Sequence, residues 1–356
     1  MVVGDLVVGE SGELPLPWLA EPLARALATQ RGHATLVHGM PGVGALEFAL
    51  AWAQAWLCEA APVGASAAAP CGRCASCRLV QSHGHPDLLV LMPEALRREK
   101  AWPLIDDRLE GEEAKRKPSR QIRIDETRSL VDWVYKTSSR GRGKVVVLHP
   151  AEALNAHSAN SLLKTLEEPP AGTRLLLTAG DPSLLLPTVR SRCQTLVLPP
   201  PPPDLAGDWL TRQGVAAPQV LLAACSGRPL DALALAQAGV NAEAWNGLPQ
   251  AVARGQVAVF SGWPMPLVLD ALHKVCHDAM SRAAGAPTRF FQADRVPAAA
   301  GLDPLAAWQR ELSRVARHDE HPWNEGLLLD AIVTAGAAAL SPRKRLPRQR
   351  LDTLAS

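Results

Sequence analysis

Four cysteines stand close enough in the sequence to share one metal ion. Cys71, Cys74 and Cys77 follow one another with two residues in each gap, and Cys58 precedes them across an alanine-rich spacer within residues 60–70. Thiolates at this spacing chelate a single ion, and four of them enclose zinc tetrahedrally with no position left open for substrate. The implied chemistry is structural: zinc would clamp the ends of a short module, residues 58–77, that has little core of its own. An iron–sulfur cluster takes the same ligand type, and reduced thiols without metal are the third reading. Cys193, Cys225 and Cys276 are isolated in sequence and read as core residues.

A second constellation has the backbone of a phosphate site without its side chains. Gly39-Met40-Pro41-Gly42-Val43-Gly44-Ala45-Leu46 follows a strand pattern and opens a helical one. That is the context a phosphate-binding loop requires. The working loop places Lys after its second glycine to reach the terminal phosphates, then Ser or Thr to hold magnesium. Here those positions are Ala45 and Leu46, whose carbons neither neutralise phosphate nor ligate a hard cation. The acidic pair expected after a later strand is also absent, since KVVVL runs into His149-Pro150. The sequence therefore reads as a nucleotide fold that has lost its charges, against the plainer reading of a strand-turn-helix that never bound nucleotide.

Arg192 is the third candidate. It lies in Thr188-Val189-Arg190-Ser191-Arg192-Cys193, after Pro187 and before a strand pattern. A planar, permanently charged guanidinium at such a turn suits developing phosphoryl charge. By spacing alone a surface or salt-bridging arginine is the simpler reading.

The elements that must position these residues are legible as short apolar runs. Residues 34–39, 87–93, 144–150, 173–180 and 194–200 read as strands, with helical patterns between them. Nearly continuous apolar runs alternating with helices predict a parallel sheet covered on both faces. The charge-dense stretch 95–120 reads as a long mobile surface loop. The proline run 199–203 reads as a stiff boundary. The organisation expected is a sheet domain over 1–200, a small helical domain over 201–241, a larger helical domain over 242–342, and a basic tail over 343–356. The tail reads as a solvated end, or else as a contact to DNA.

Composition narrows the class of function. A net charge of +2 announces no bulk affinity for nucleic acid, so such binding would need a local patch. No uninterrupted apolar stretch of about 18 residues exists, so no membrane span is expected. The first residues lack a basic n-region and carry Asp5 and Glu10. No signal peptide is expected, and a cytoplasmic protein with reduced cysteines is.

Taken together, these motifs resemble the clamp-loader branch of the AAA+ proteins, and within it the delta-prime subunits of bacterial DNA polymerase III. The resemblance is carried by HGMPGVGA, by the four cysteines, and by His85-Pro86-Asp87. Asn160-Ser161-Leu162-Leu163-Lys164-Thr165-Leu166-Glu167-Glu168-Pro169-Pro170 and Ser191-Arg192-Cys193 complete it. It covers residues 15–250 and thins beyond them. It implies an AAA+ sheet domain with a zinc module, a helical lid and an all-α collar for oligomerisation. It further implies no productive ATP, with Leu230 where ATPase relatives carry a nucleotide-sensing arginine. Arg192 would act as an arginine finger on ATP held by a neighbour. The implied partners are delta and gamma/tau subunits, with the sliding clamp and primed DNA reached through the complex. Two other classes stand beside this reading. One is an active clamp-loader-type ATPase that draws a lysine, Lys144 or Lys164, from elsewhere. The other is a stand-alone zinc-dependent DNA-binding protein.

Overall fold

The computed structural model describes residues 6–60, 69–104, 117–299, 301–317 and 324–341. Part of the cysteine spacer, part of the charged stretch and the basic tail 343–356 lie outside the described residues. The chain divides into two compact units, Met1–Trp209 and Leu210–Ser356.

The first unit is built on five parallel strands: β1 (Ala34–His38), β2 (Leu88–Leu91), β3 (Lys144–Leu148), β4 (Thr173–Ala179) and β5 (Gln194–Val197). Their order across the sheet is β2-β3-β4-β1-β5. Register aligns His38 with Ala179 and Leu148 with Leu177, so the C-terminal ends of β1, β3 and β4 lie together at one end of the sheet. The strands read as unbroken apolar runs because both faces are covered. On one face Leu36, Leu91, Leu148 and Leu177 meet Leu130 and Val134 of α5 (Ile124–Val134) and Leu162 and Leu166 of α6 (Ala156–Glu167). The opposite face takes α2 (Ala45–Leu57), a helix apolar nearly all round, with Phe48 and Trp52 fully buried. A helix without a polar stripe belongs in the interior.

Shorter elements complete this unit: α1 (Ala20–Thr29), α3 (Ala75–Gln81), α4 (Glu94–Glu99) and α7 (Pro187–Arg190). The charged stretch expected to be a loop starts as α4. The reason is Glu94, which is fully buried, pairs with Arg98 and accepts a backbone N–H from Ser119, tying both ends of the stretch together.

After α8 (Pro203–Arg212), described residues of the second unit are helical: α9 (Pro218–Ala224), α10 (Pro229–Gln237), α11 (Ala242–Ala253), α12 (Met265–Ala283), α13 (Leu302–Ala316) and α14 (Glu325–Leu340). Buried Asp278 on α12 accepts the N–H groups of Arg289, Phe290 and Phe291 at 2.9, 2.7 and 2.8 Å. This sets Phe291 flat against Trp245 of α11. Among the described residues no helix is long and apolar enough to cross a membrane.

Candidate functional site

The cysteine module is assembled at two helix ends. Cys58 caps the C-terminus of α2, and Cys74 caps the N-terminus of α3. Cys77 lies in the first turn of α3, and Cys71 lies across a tight turn from Cys74. Gly72 makes that turn with φ of 74°, and a side chain there would collide with the carbonyl of Gly9. The four sulfurs lie within 4.8 Å of one another. Zinc–sulfur bonds of about 2.3 Å place tetrahedral thiolates about 3.8 Å apart, so this cage fits such an ion after slight contraction.

Backbone amides already face the sulfurs. Cys71 N–H points to Cys58 Sγ at 3.5 Å, Cys74 N–H to Cys71 Sγ at 3.4 Å, and Cys77 N–H to Cys74 Sγ at 3.4 Å. Burial raises the Cys58 and Cys77 thiols, Cys77 the more strongly. Cys71 is held at about 6, because amide hydrogen bonds from Arg73 and Cys74 outweigh its burial. Four thiols this close release all their protons only to a cation that takes their place.

Polar contacts fasten the module to the sheet domain. Arg140 donates through Nε and Nη2 to Glu59 at 2.8 and 2.6 Å, Ser76 Oγ donates to Glu59 at 3.0 Å, and His85 Nε2 lies 3.1 Å from Ser76 Oγ. Arg140 is held by Asp87, a buried carboxylate that accepts the N–H groups of Ser139 and Arg140 at 2.7 and 2.8 Å and the Ser138 hydroxyl at 3.0 Å. The His85-Pro86-Asp87 motif is thus a bracket between α3, the start of β2 and the turn before β3. Gln54, fully buried, adds a strap by exchanging two 2.9 Å bonds with the backbone of Val8. Nothing in local spacing signalled Glu59, Gln54 or Arg140. The one available signal was a polar or charged residue flanking an apolar run.

The glycine loop joins β1 to α2 in the position expected of a phosphate loop. Gly42 and Gly44 have φ of 77° and 98°. Trp18 Nε1 donates to Val43 O at 2.8 Å, and Leu16 lies where a Gly44 side chain would be. Leu46, at the magnesium-ligand position, is 4% exposed and turned into the core. The third residue of α2 is half-buried Glu47. Glu47 Oε2 lies 3.6 Å from the place of a Gly44 Cβ, and burial raises its carboxyl above the ordinary range.

At the end of β3, His149 Nδ1 lies 2.6 Å from Thr178 Oγ1. Burial, helped by nearby Lys100, holds His149 down at about 4, so the imidazole is neutral at pH 7. Just beyond, Glu152 Oε1 accepts the N–H groups of Gly180 and Asp181 at 2.5 and 2.9 Å. Lys144 lies at the opposite end of β3, donating to Trp133 O at 2.6 Å and covering the Trp133 ring. Lys164 is exposed on α6.

Arg192 follows α7 in a turn set by Pro187. Its Nη1 donates to Thr188 O at 2.8 Å, and its Nη2 forms an ion pair with Glu167 Oε1. The side chain is 28% exposed. Arg190 is exposed beside it. Cys225 and Cys276 are buried and Cys193 packs against the sheet core.

A profile of the family described as "DNA polymerase III, delta subunit" matches residues 18–202. The DNA polymerase III subunit delta' of Pseudomonas aeruginosa is 36% identical over 253 residues, covering 68% of this chain and 69% of that protein. The subunit delta' of Escherichia coli is 36% identical over 244 residues, covering 67% and 65%. The subunit tau of Salmonella typhimurium is 35% identical over 172 residues, covering 48% of this chain and 22% of that one. A gamma subunit-related protein of Thermotoga maritima shares the fold across 90% of this chain and 99% of its own, with a TM-score of 0.50 and 17% identity. On the profile match and the extent of these identities, the chain belongs to the delta-prime family of DNA polymerase III subunits.

Proposed function

We propose that this chain serves the bacterial clamp loader as an ATP-inactive AAA+ subunit. It helps assemble the loader that opens the sliding clamp and places it on primed DNA, and it supplies Arg192 as an arginine finger to ATP held by a neighbouring gamma/tau-type subunit. One observation carries the reading. The glycine loop keeps its phosphate-loop backbone, while Ala45, Leu46 and neutral His149 stand at the three positions where phosphoryl transfer needs charge or a magnesium ligand. Lys144 is too far along β3 to replace the missing lysine, which weighs against an active ATPase. Arg192 has what a finger acting in trans needs: a partly exposed guanidinium on a short turn, with donors to spare.

Cys58, Cys71, Cys74 and Cys77 would hold zinc. When bound it supplies a fixed cross-link between α2 and α3 and takes no part in chemistry. Residues 1–200, 201–241 and 242–342 would serve as sheet domain, lid and collar, in a cytoplasmic complex with delta and gamma/tau subunits. The test is reconstitution. The isolated chain should show no magnesium-dependent ATP turnover and no salt-dependent DNA binding of its own. In the complex, Arg192→Ala should lower clamp-stimulated ATPase and clamp loading while leaving assembly intact, and Arg190→Ala should not. Turnover by the isolated chain, or normal loading with Arg192→Ala, overturns the reading.

A further inference from the structure

The run Asn160–Pro170 is a strong signature of the resemblance. The structure brings its end to Arg192. Glu167 is the last residue of α6, twenty-five positions before Arg192, and its Oε1 pairs with Arg192 Nη2. Both side chains sit on fixed platforms. Leu162 and Leu166 of α6 and Leu185 and Val189 around α7 are buried in one core cluster, so the two backbones cannot drift apart without opening that core. Glu168, the neighbouring acid, is exposed and forms no ion pair among the described residues.

We infer that Glu167 is a positioning residue for Arg192: it holds the guanidinium in a single orientation before a neighbouring subunit presents ATP. This rests on the reading of Arg192 as a finger. A pair this exposed adds little to stability, so its effect is on geometry. A free arginine explores many rotamers, and ordering a long side chain on binding costs about 0.5–1.5 kcal/mol. With Nη1 tied to Thr188 O and Nη2 to Glu167, that ordering is complete before the neighbour arrives. A guanidinium carries five N–H groups, and these two bonds use only two of them. Nε is buried, which leaves one N–H on each terminal nitrogen for phosphate oxygens.

The experiment is a double-mutant cycle in the reconstituted loader, with clamp and primed DNA, reading kcat and KM for ATP and the clamp-loading rate. Glu167→Ala should lower the Arg192-dependent part of kcat by about two- to tenfold, the factor equivalent to that ordering term, with KM nearly unchanged. Glu167→Gln, which keeps an acceptor oxygen, should recover part of the loss, and Glu168→Ala should match the wild type. Adding Glu167→Ala to Arg192→Ala should change nothing further, because Glu167 acts only through Arg192. Normal kcat with Glu167→Ala overturns the inference, and so does a gain, which would mean that Glu167 withholds the arginine. A further loss in the Arg192→Ala background overturns it as well, showing an independent structural role. If Arg192→Ala is itself silent, the finger reading fails first and the inference goes with it.

Discussion

Restoring the two missing side chains should not by itself restore nucleotide binding. The double substitution Ala45→Lys and Leu46→Thr returns the lysine and the magnesium ligand, but it leaves Glu47 in place. Backbone N–H groups at the start of the helix are what a phosphate loop offers to phosphate oxygens. Here the Glu47 carboxylate already stands at that helix start, its Oε2 3.6 Å from the site of a Gly44 Cβ. A phosphate in that cradle would lie about 4–5 Å from the carboxylate. At an effective dielectric of about 20 the repulsion is about 3–4 kcal/mol, or two to three decades in affinity. Magnesium-ATP affinity, measured by calorimetry near pH 7.5, should therefore be weak for the double variant and about a hundredfold tighter once Glu47→Ala is added. Because burial already raises the Glu47 carboxyl, lowering the pH should protonate it and narrow the gap between the two variants. Equal affinities for the double and triple variants at pH 7.5 would refute the reasoning.

Three further outcomes follow from the same geometry. Freshly purified protein should contain one zinc per chain, and Cys74→Ser should lower that content and the protease resistance of the module while the circular dichroism of the sheet domain stays native. Asp87→Ala strips three hydrogen bonds from a buried bracket and leaves two amides unpaired, so it should cost about 3 kcal/mol or more in urea unfolding. It should also speed zinc release to a chelator, because Arg140 is no longer held toward Glu59. His149 sits at about 4 when folded against 6.5 when unfolded, so its contribution is complete above pH 6.5 and disappears as the pH falls toward 4. The loss amounts to at most about 3 kcal/mol, and His149→Asn should flatten that part of the stability-versus-pH curve.

Much of the site's chemistry was local and therefore legible. Two-residue gaps between cysteines, a glycine pattern between a strand and a helix, and the absence of Lys and Ser or Thr after it are properties of neighbouring residues. The strands were readable for the same reason: a sheet covered on both faces demands unbroken apolar runs, and KVVVL and TRLLLTA provide them. The charged stretch after β2 misled because burial of Glu94 depends on Ser119, which is distant in sequence and invisible to composition.

By itself the sequence determined which groups are present and which are missing. The loop carries Ala45 and Leu46 where a working phosphate loop has Lys and Ser or Thr, and the four thiols are spaced for one ion. The tertiary structure decided what those groups face. Glu167 meets Arg192 only because α6 and α7 pack on one core, and Arg140 meets Glu59 across eighty-one positions because Asp87 fixes the turn between them. His149 is neutral because packing at the end of β3 buries it, and Glu47 lies beside the loop because Gly44 turns the helix start toward it. Spacing along a chain encodes neighbours within a turn or a strand pair. Contacts that depend on how whole elements pack, and the protonation states that follow from burial, come only with the folded arrangement.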